Sequence, residues 1–263
     1  MHAHIHSCAQ ISVAVDDFVV SAGSLGAWRP VAKAPAKEVV KVPADLPASY
    51  LSTMDAACKA AALLKDLPAG AVVAQSGACS LVGQAVTQLA KAKGLVTINV
   101  VQTSTDEEEM VALLKSLGGD VVAPSWYAVS PKFRELIADM PKPSLAICYA
   151  PQLDDASLAT KVPAAAGQMS KLRPLVADAS KNDLLKLKVN ATLKNLATTS
   201  VSHGPNEAAP VAWGADEVAT VAPLMAAGDL ALWVENYPSV DLEYASKRAE
   251  GPYPGFRTMV LNF

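Results

Sequence analysis

LPAGAVVAQSGACSLVGQAVTQLAKAKGLVTINVV, residues 67–101, decides the fold. Ala71-Val72-Val73-Ala74 is a short apolar run without alternation, the pattern of a strand covered on both faces. Val82, Val86, Leu89, Ala90 and Ala92 then repeat at helical spacing, and Gly94 stops that helix. Val96-Thr97-Ile98-Asn99-Val100-Val101 is β-branched and strand-like. Strand, turn, helix and strand in this order predict one βαβ unit of a nucleotide-binding fold.

In such a unit the turn after the first strand carries several glycines, so that backbone can approach a pyrophosphate at the helix N-terminus. Here the turn reads Gln75-Ser76-Gly77-Ala78-Cys79-Ser80-Leu81-Val82-Gly83. Gly77 and Gly83 remain, but the G-x-G-x-x-G spacing does not. Leu81 is expected just ahead of the helix, where its side chain crowds a phosphate.

The same stretch resembles the mitochondrial trans-2-enoyl-thioester reductases, the NADPH-dependent branch of the medium-chain dehydrogenase/reductase superfamily. GSLGAWRPVAKAPAKEVVKVPADLP (residues 23–47) is similar to that family's passage from catalytic into cofactor domain. LLKSLGGDVV, FRELIADMPKPSLAICYA, Ala227-Gly228-Asp229-Leu230 and the closing Phe256-Arg257-Thr258-Met259-Val260-Leu261 find counterparts in the same order. The resemblance runs from about Asp17 to the end and thins after Ala150. It implies an α/β fold, a Rossmann-like doubly wound parallel sheet with a reduced remnant of a GroES-like catalytic domain. The expected division is a catalytic-domain remnant over residues 1–47, the Rossmann-like nucleotide-binding-fold domain over 48–204, and a C-terminal segment over 205–263 that returns to the remnant.

Measured against that family, the chain is expected to be truncated at its N-terminus and degenerate in its cofactor motifs. The family's catalytic domain contributes a proton-donating tyrosine, and MHAHIHSCAQISVAVDDFVVSA ahead of Gly23 contains no Tyr. The family's Ser-Gly-Val-Gly turn reads Ser80-Leu81-Val82-Gly83. Where the reductases place arginine for the NADPH 2′-phosphate stands Gln102-Thr103-Ser104, which offers no charge-assisted fork. A glycine pair near the nicotinamide is replaced by Ala150-Pro151-Gln152, and Pro removes a donor. Ser80, Val82 and Gly83 are therefore expected as vestigial cofactor contacts, with no catalytic residue, no metal and no retained cofactor.

Composition limits the alternatives. The chain has 263 residues, enough for one large or two modest domains. Its net charge of -3 gives no electrostatic footprint for nucleic acid. Apolar stretches break well before the roughly 20 residues of a membrane span. The N-terminus lacks the Arg-rich amphipathic pattern of a transit peptide, so a mitochondrial location is implied by the resemblance alone. Cys8, Cys58, Cys79 and Cys148 lie far apart without a C-x-x-C pair, which points to reduced thiols rather than disulfides or structural zinc.

Beyond residue 101 the pattern predicts a helix over 106–117 with an acidic first turn ended by Gly118-Gly119, and a strand over 120–123. A helix over 131–140, a strand over 144–150 and a helix over 158–163 follow. An irregular strand is expected over 169–176, strand character within 184–201, a helix over 216–227, a strand over 230–235, a helix over 242–250 and a strand over 257–262. His2, His4 and His6 share one face of a strand and form a metal candidate; a frayed terminus is the simpler reading. Cys79 is either a reactive thiol at a helix start or a small turn residue. Trp28 lines an acyl pocket or fills a core. His203 beside Ser202 lacks the G-x-S-x-G elbow of a hydrolase.

Two functions remain open. In the first the chain is a catalytically inactive pseudoenzyme, an accessory subunit of a large mitochondrial assembly with protein subunits as partners; a respiratory-chain complex comes first among the hosts. In the alternative it is an NADPH-dependent 2-enoyl thioester reductase of mitochondrial fatty acid synthesis.

Overall fold

The computed structural model describes residues 13–22, 32–101, 107–128, 130–149, 192–196, 211–249 and 258–262. The chain divides into two compact units, Met1–Lys65 with Val211–Phe263, and Asp66–Pro210.

The second unit holds a five-stranded parallel sheet. Its strands are β3 (Val72–Ser76), β4 (Val96–Val101), β5 (Val121–Pro124), β6 (Leu145–Tyr149) and β7 (Thr192–Leu196), in the spatial order β5-β4-β3-β6-β7. The order runs outward from β3 in both directions, as in a doubly wound Rossmann-type sheet. Register is continuous through the centre, with Ser76 of β3 opposite Val100 of β4 and Cys148 of β6. The connections carry α2 (Leu81–Ala92) between β3 and β4, α3 (Glu107–Ser116) between β4 and β5, and α4 (Ser125–Ala128) with α5 (Pro131–Leu136) ahead of β6.

Both faces of β3 are covered, which is why its sequence does not alternate. Val72 packs with Ile98, Ala123, Ala128, Phe133 and Ile137, and Ala74 borders the same cluster. Residue 75 points to the opposite face and bonds to α2. Gly94 adopts φ 66° after α2, and Gly118 φ 97° after α3, the left-handed exits expected where those helices stop.

The first unit contains the antiparallel pair β1 (Val19–Ser21) and β2 (Val39–Lys41), helices α1 (Ala48–Leu64), α6 (Ala215–Ala227) and α7 (Leu242–Ala249), and the parallel pair β8 (Val234–Pro238) and β9 (Thr258–Asn262). Helix α1 packs against α6 and is buried nearly all round; Met54, Ala57, Cys58, Ala60 and Leu64 have no exposed surface. Such a helix has no polar stripe, and periodicity does not reveal it. Trp213 donates its indole N–H to Asp55 on α1 at 2.9 Å, and the backbone N–H of Gly214 donates to Glu217 at the start of α6 at 2.8 Å.

Several expectations shift. Leu81 is the first helical residue of α2, not a residue ahead of it. The strand expected over 230–235 forms instead at Val234–Pro238, because Leu230 and Leu232 are spent packing behind the end of α6: Leu230 is fully buried and donates its N–H to Leu224. The helix expected over 131–140 ends at Leu136, where Ile137 donates back to Phe133 and successive tight turns follow. The helix expected over 158–163 and the strand over 169–176 lie outside the described residues, and β7 falls within 184–201.

Candidate functional site

In a doubly wound sheet, ligands bind beyond the carboxyl ends of the strands where the strand order reverses. Here that point lies between β3 and β6, where Ser76 ends β3 and leads into the turn that starts α2. The Ser76 hydroxyl is buried without a hydrogen-bond partner among the described residues.

The turn is held by its own groups. Gly77 takes φ 64°, which only glycine adopts without strain. Ala78 donates its N–H to Val100 of β4, and Ser80 donates its N–H to Gly77. Ser80 is the N-cap of α2, its hydroxyl accepting from the Gly83 N–H at 3.1 Å. Gln84, 1% exposed, donates its side-chain amide to the Cys79 carbonyl at 2.7 Å. From beneath, Gln75 donates to the Gly83 carbonyl at 3.1 Å.

Of the three expected cofactor contacts, Ser80 and Val82 stand at the helix start and Gly83 performs a packing task. A Cβ on Gly83 meets the Ala78 backbone, at 2.7 Å from its carbonyl carbon and 2.9 Å from its Cα, with its oxygen nearer still. That glycine is required for α2 to close on the turn. Cys79 is a buried turn residue and not a reactive thiol: burial pushes its pKa up to about 12, where the nucleophilic thiolate is scarce. Cys58, buried in α1, is pushed up to about 12 by burial first and by Asp55 and Glu217 second.

A dinucleotide phosphate asks for N–H donors at the start of α2 and room beside them. Leu81 and Val82 occupy the first two helical positions, whose N–H groups have no acceptor within an α-helix. The Gly83 N–H is already taken by Ser80. These two N–H groups are the donors that the start of α2 leaves for a phosphate, while Leu81 sets a half-buried side chain at the first position and residues 76–83 contribute no charge. Gln102-Thr103-Ser104, Ala150-Pro151-Gln152, Trp28, Ser202, His203 and the three N-terminal histidines lie outside the described residues. Among the described residues there is no cluster of metal-ligating side chains, and no helix is long and apolar enough to cross a membrane.

Glu107, in the acidic first turn of α3, accepts a 2.9 Å hydrogen bond from the indole of Trp126. Sequence reasoning missed the buried polar set beneath the turn, Gln75, Thr87, Thr97 and Asn99. Its signal was present as polar residues inside otherwise apolar strand and helix runs.

No protein-family model matches the chain. An enoyl-[acyl-carrier-protein] reductase, mitochondrial, of Dictyostelium discoideum is 42% identical over 126 residues, covering 46% of this chain and 36% of that protein. The Homo sapiens protein of the same name is 38% identical over 136 residues, covering 50% of this chain and 36% of that protein. The chain thus spans about a third of the length of the curated relatives it matches. A solved mycobacterial protein complexed with NADPH superposes with a TM-score of 0.62 at 23% identity, over 96% of this chain and 76% of that one, which shows the fold. Over about half of its length the chain is thus similar to mitochondrial enoyl-[acyl-carrier-protein] reductases, and its doubly wound parallel sheet is the Rossmann-type fold that it shares with the solved mycobacterial protein.

Proposed function

We propose that this chain is a catalytically inactive descendant of the enoyl reductases, acting as a structural accessory subunit of a large mitochondrial assembly, with a respiratory-chain complex as the first host to test. The observation that carries this reading is the phosphate turn. Leu81 stands where the family resemblance implies glycine, in a turn whose Gly83 N–H, Ala78 N–H and Cys79 carbonyl are already satisfied internally. Such a turn offers a phosphate two neutral donors and gives up the close glycine approach. A fold persists after its chemistry is lost because activity resides in the site. The mitochondrial location follows the family resemblance, as the relatives are mitochondrial by name.

The test is native isolation from mitochondria, with mass spectrometry of the assembly and of any small molecule released from it, and titration of the purified chain with NADPH. Stoichiometric recovery in a large complex without dinucleotide is the expected result. Enoyl reduction by the unmodified chain overturns it.

One observation favours the alternative, an NADPH-dependent 2-enoyl thioester reductase. The N–H groups of Leu81 and Val82 open α2 without a helical acceptor, and the Ser76 hydroxyl, without a partner among the described residues, ends β3 beside the reversal point at which doubly wound sheets take their ligands. NADPH, when bound, supplies a hydride; the chain's part is to hold its phosphate at those donors. Saturable NADPH binding at micromolar concentration together with enoyl reduction selects this reading.

A further inference from the structure

Gln75 is 3% exposed, yet its side-chain nitrogen meets three acceptors: Gly83 O at 3.1 Å, Thr87 Oγ1 at 3.0 Å and Asn99 Oδ1 at 2.6 Å. Thr87, fully buried on α2, donates its hydroxyl to Gly83 O at 3.0 Å or to Asn99 Oδ1 at 3.2 Å. Two amide hydrogens and one hydroxyl hydrogen thus face three acceptors. The set closes only if Gln75 presents its nitrogen to them.

What fixes that orientation lies further along the sheet. The Asn99 nitrogen is committed to Thr97 Oγ1 at 2.9 Å and to the Val121 carbonyl at 3.2 Å, so its oxygen faces Gln75. Thr97 is in turn tied to Asp120, donating its backbone N–H to Oδ2 at 2.7 Å and receiving the Asp120 N–H on its hydroxyl at 3.2 Å. A chain of polar groups therefore runs from exposed Asp120 ahead of β5 through buried Thr97, Asn99 and Gln75 to the first turn of α2. Burying such groups is costly unless every one is satisfied, yet Gln75 Oε1 has no partner among the described residues. The arrangement accepts that cost and aims two side-chain donors, Gln75 and Thr87, at the Gly83 carbonyl as well as at Asn99 Oδ1.

We propose that Gln75 is the positioning residue of the phosphate turn: by holding the Gly83 carbonyl from below while Ser80 holds the Gly83 N–H, it fixes where the Leu81 and Val82 N–H groups stand. The inference concerns the same turn as the proposed function, and it holds whether or not that turn keeps a dinucleotide.

The test is amide hydrogen exchange on the full chain, comparing wild type with Gln75→Met, which keeps the volume and removes the donors, and Gln75→Glu, which turns acceptors toward acceptors. Exchange at the bonded amides of Ser80, Gly83 and Gln84 is expected to rise about tenfold in Gln75→Met, the equilibrium worth of about one hydrogen bond, and further in Gln75→Glu. Residues 89–92 of the same helix are expected to stay at the wild-type rate. A rise spread evenly over α2, or none in residues 80–84, overturns the proposal by reducing Gln75 to a core residue. If either variant fails to fold, Thr87→Val removes one donor to the same carbonyl and carries the same comparison. Titration with inorganic pyrophosphate separates the two levels: absence of wild-type binding counts against the dinucleotide reading alone, and the exchange pattern decides the role of Gln75.

Discussion

Gly83→Ala opposes two effects of opposite sign at one residue. Gly83 lies in the first turn of α2, and by intrinsic propensity alanine stabilises a helix by about 1 kcal/mol over glycine. Against this, the new Cβ is aimed at the backbone of Ala78, 2.7 Å from its carbonyl carbon and 2.9 Å from its Cα, closer than carbon atoms pack. A flexible side chain could swing away from such a contact; a backbone fixed by its own bond to Val100 cannot. Overpacking of this kind costs about 1–3 kcal/mol, and because backbone must yield we place the gross cost at the top of that range. The net expectation is a loss of about 2 kcal/mol, measured as a lowered urea midpoint by circular dichroism on the full chain at unchanged m value. Gly94→Ala serves as a comparison: it has open space but φ 66°, so its cost of about 1 kcal/mol is purely conformational. A Gly83→Ala protein as stable as wild type, or more stable, refutes the packing argument and returns Gly83 to the role of ligand-approach glycine.

Ser80→Ala removes the N-cap of α2 and is expected to cost about 1 kcal/mol in the same unfolding assay, while leaving the Gly83 N–H open to a phosphate. Cys58 and Cys79 are expected to resist thiol reagents at pH 8 in the native chain and to react in urea. Their folded pKa values near 12 stand above those of unfolded thiols, so the unfolded state loses protons first and stability falls as pH rises from about 9 toward 12, at up to about 1.4 kcal/mol per pH unit per thiol. A double Cys58→Ala, Cys79→Ala chain should lack that part of the alkaline loss. The Asp17 carboxylate, hydrogen-bonded to Lys41 and to the Ala14 N–H, is held below its ordinary value of 3.8. Lys41→Met should raise its titration midpoint in an NMR pH series, and an unmoved midpoint shows that the ion pair does not form in solution.

Much of the second unit was legible residue by residue. Val72 and Val73 sit on opposite faces of a strand covered on both, so their sequence carries no alternation, and that is what marks a central parallel strand. Gly94 and Gly118 announced helix ends because a left-handed residue after a helix is cheap only for glycine. The start of α2 was read at Val82, one residue late, because the capping hydroxyl of Ser80 went unread and Leu81 is already inside the helix. Where the reading faltered, burial was the cause. Helix α1 escaped it because a helix enclosed on all sides has no amphipathic period, and Leu230 and Leu232 looked like strand because apolarity does not say which element will cover them.

By itself, then, the sequence determined the order of strands and helices through the centre of the sheet, the place of the turn between β3 and α2 and the likeness to enoyl reductases, since each depends on residues near one another in the chain. Only the tertiary structure decided what the turn's residues do. That Gly83 answers to Ala78, that Cys79 is sealed away, and that Gln75 reaches across to Asn99 and through it toward Asp120 are consequences of which groups meet in space. A buried polar group must find its partner wherever the fold supplies one, and local sequence carries no record of that distant choice.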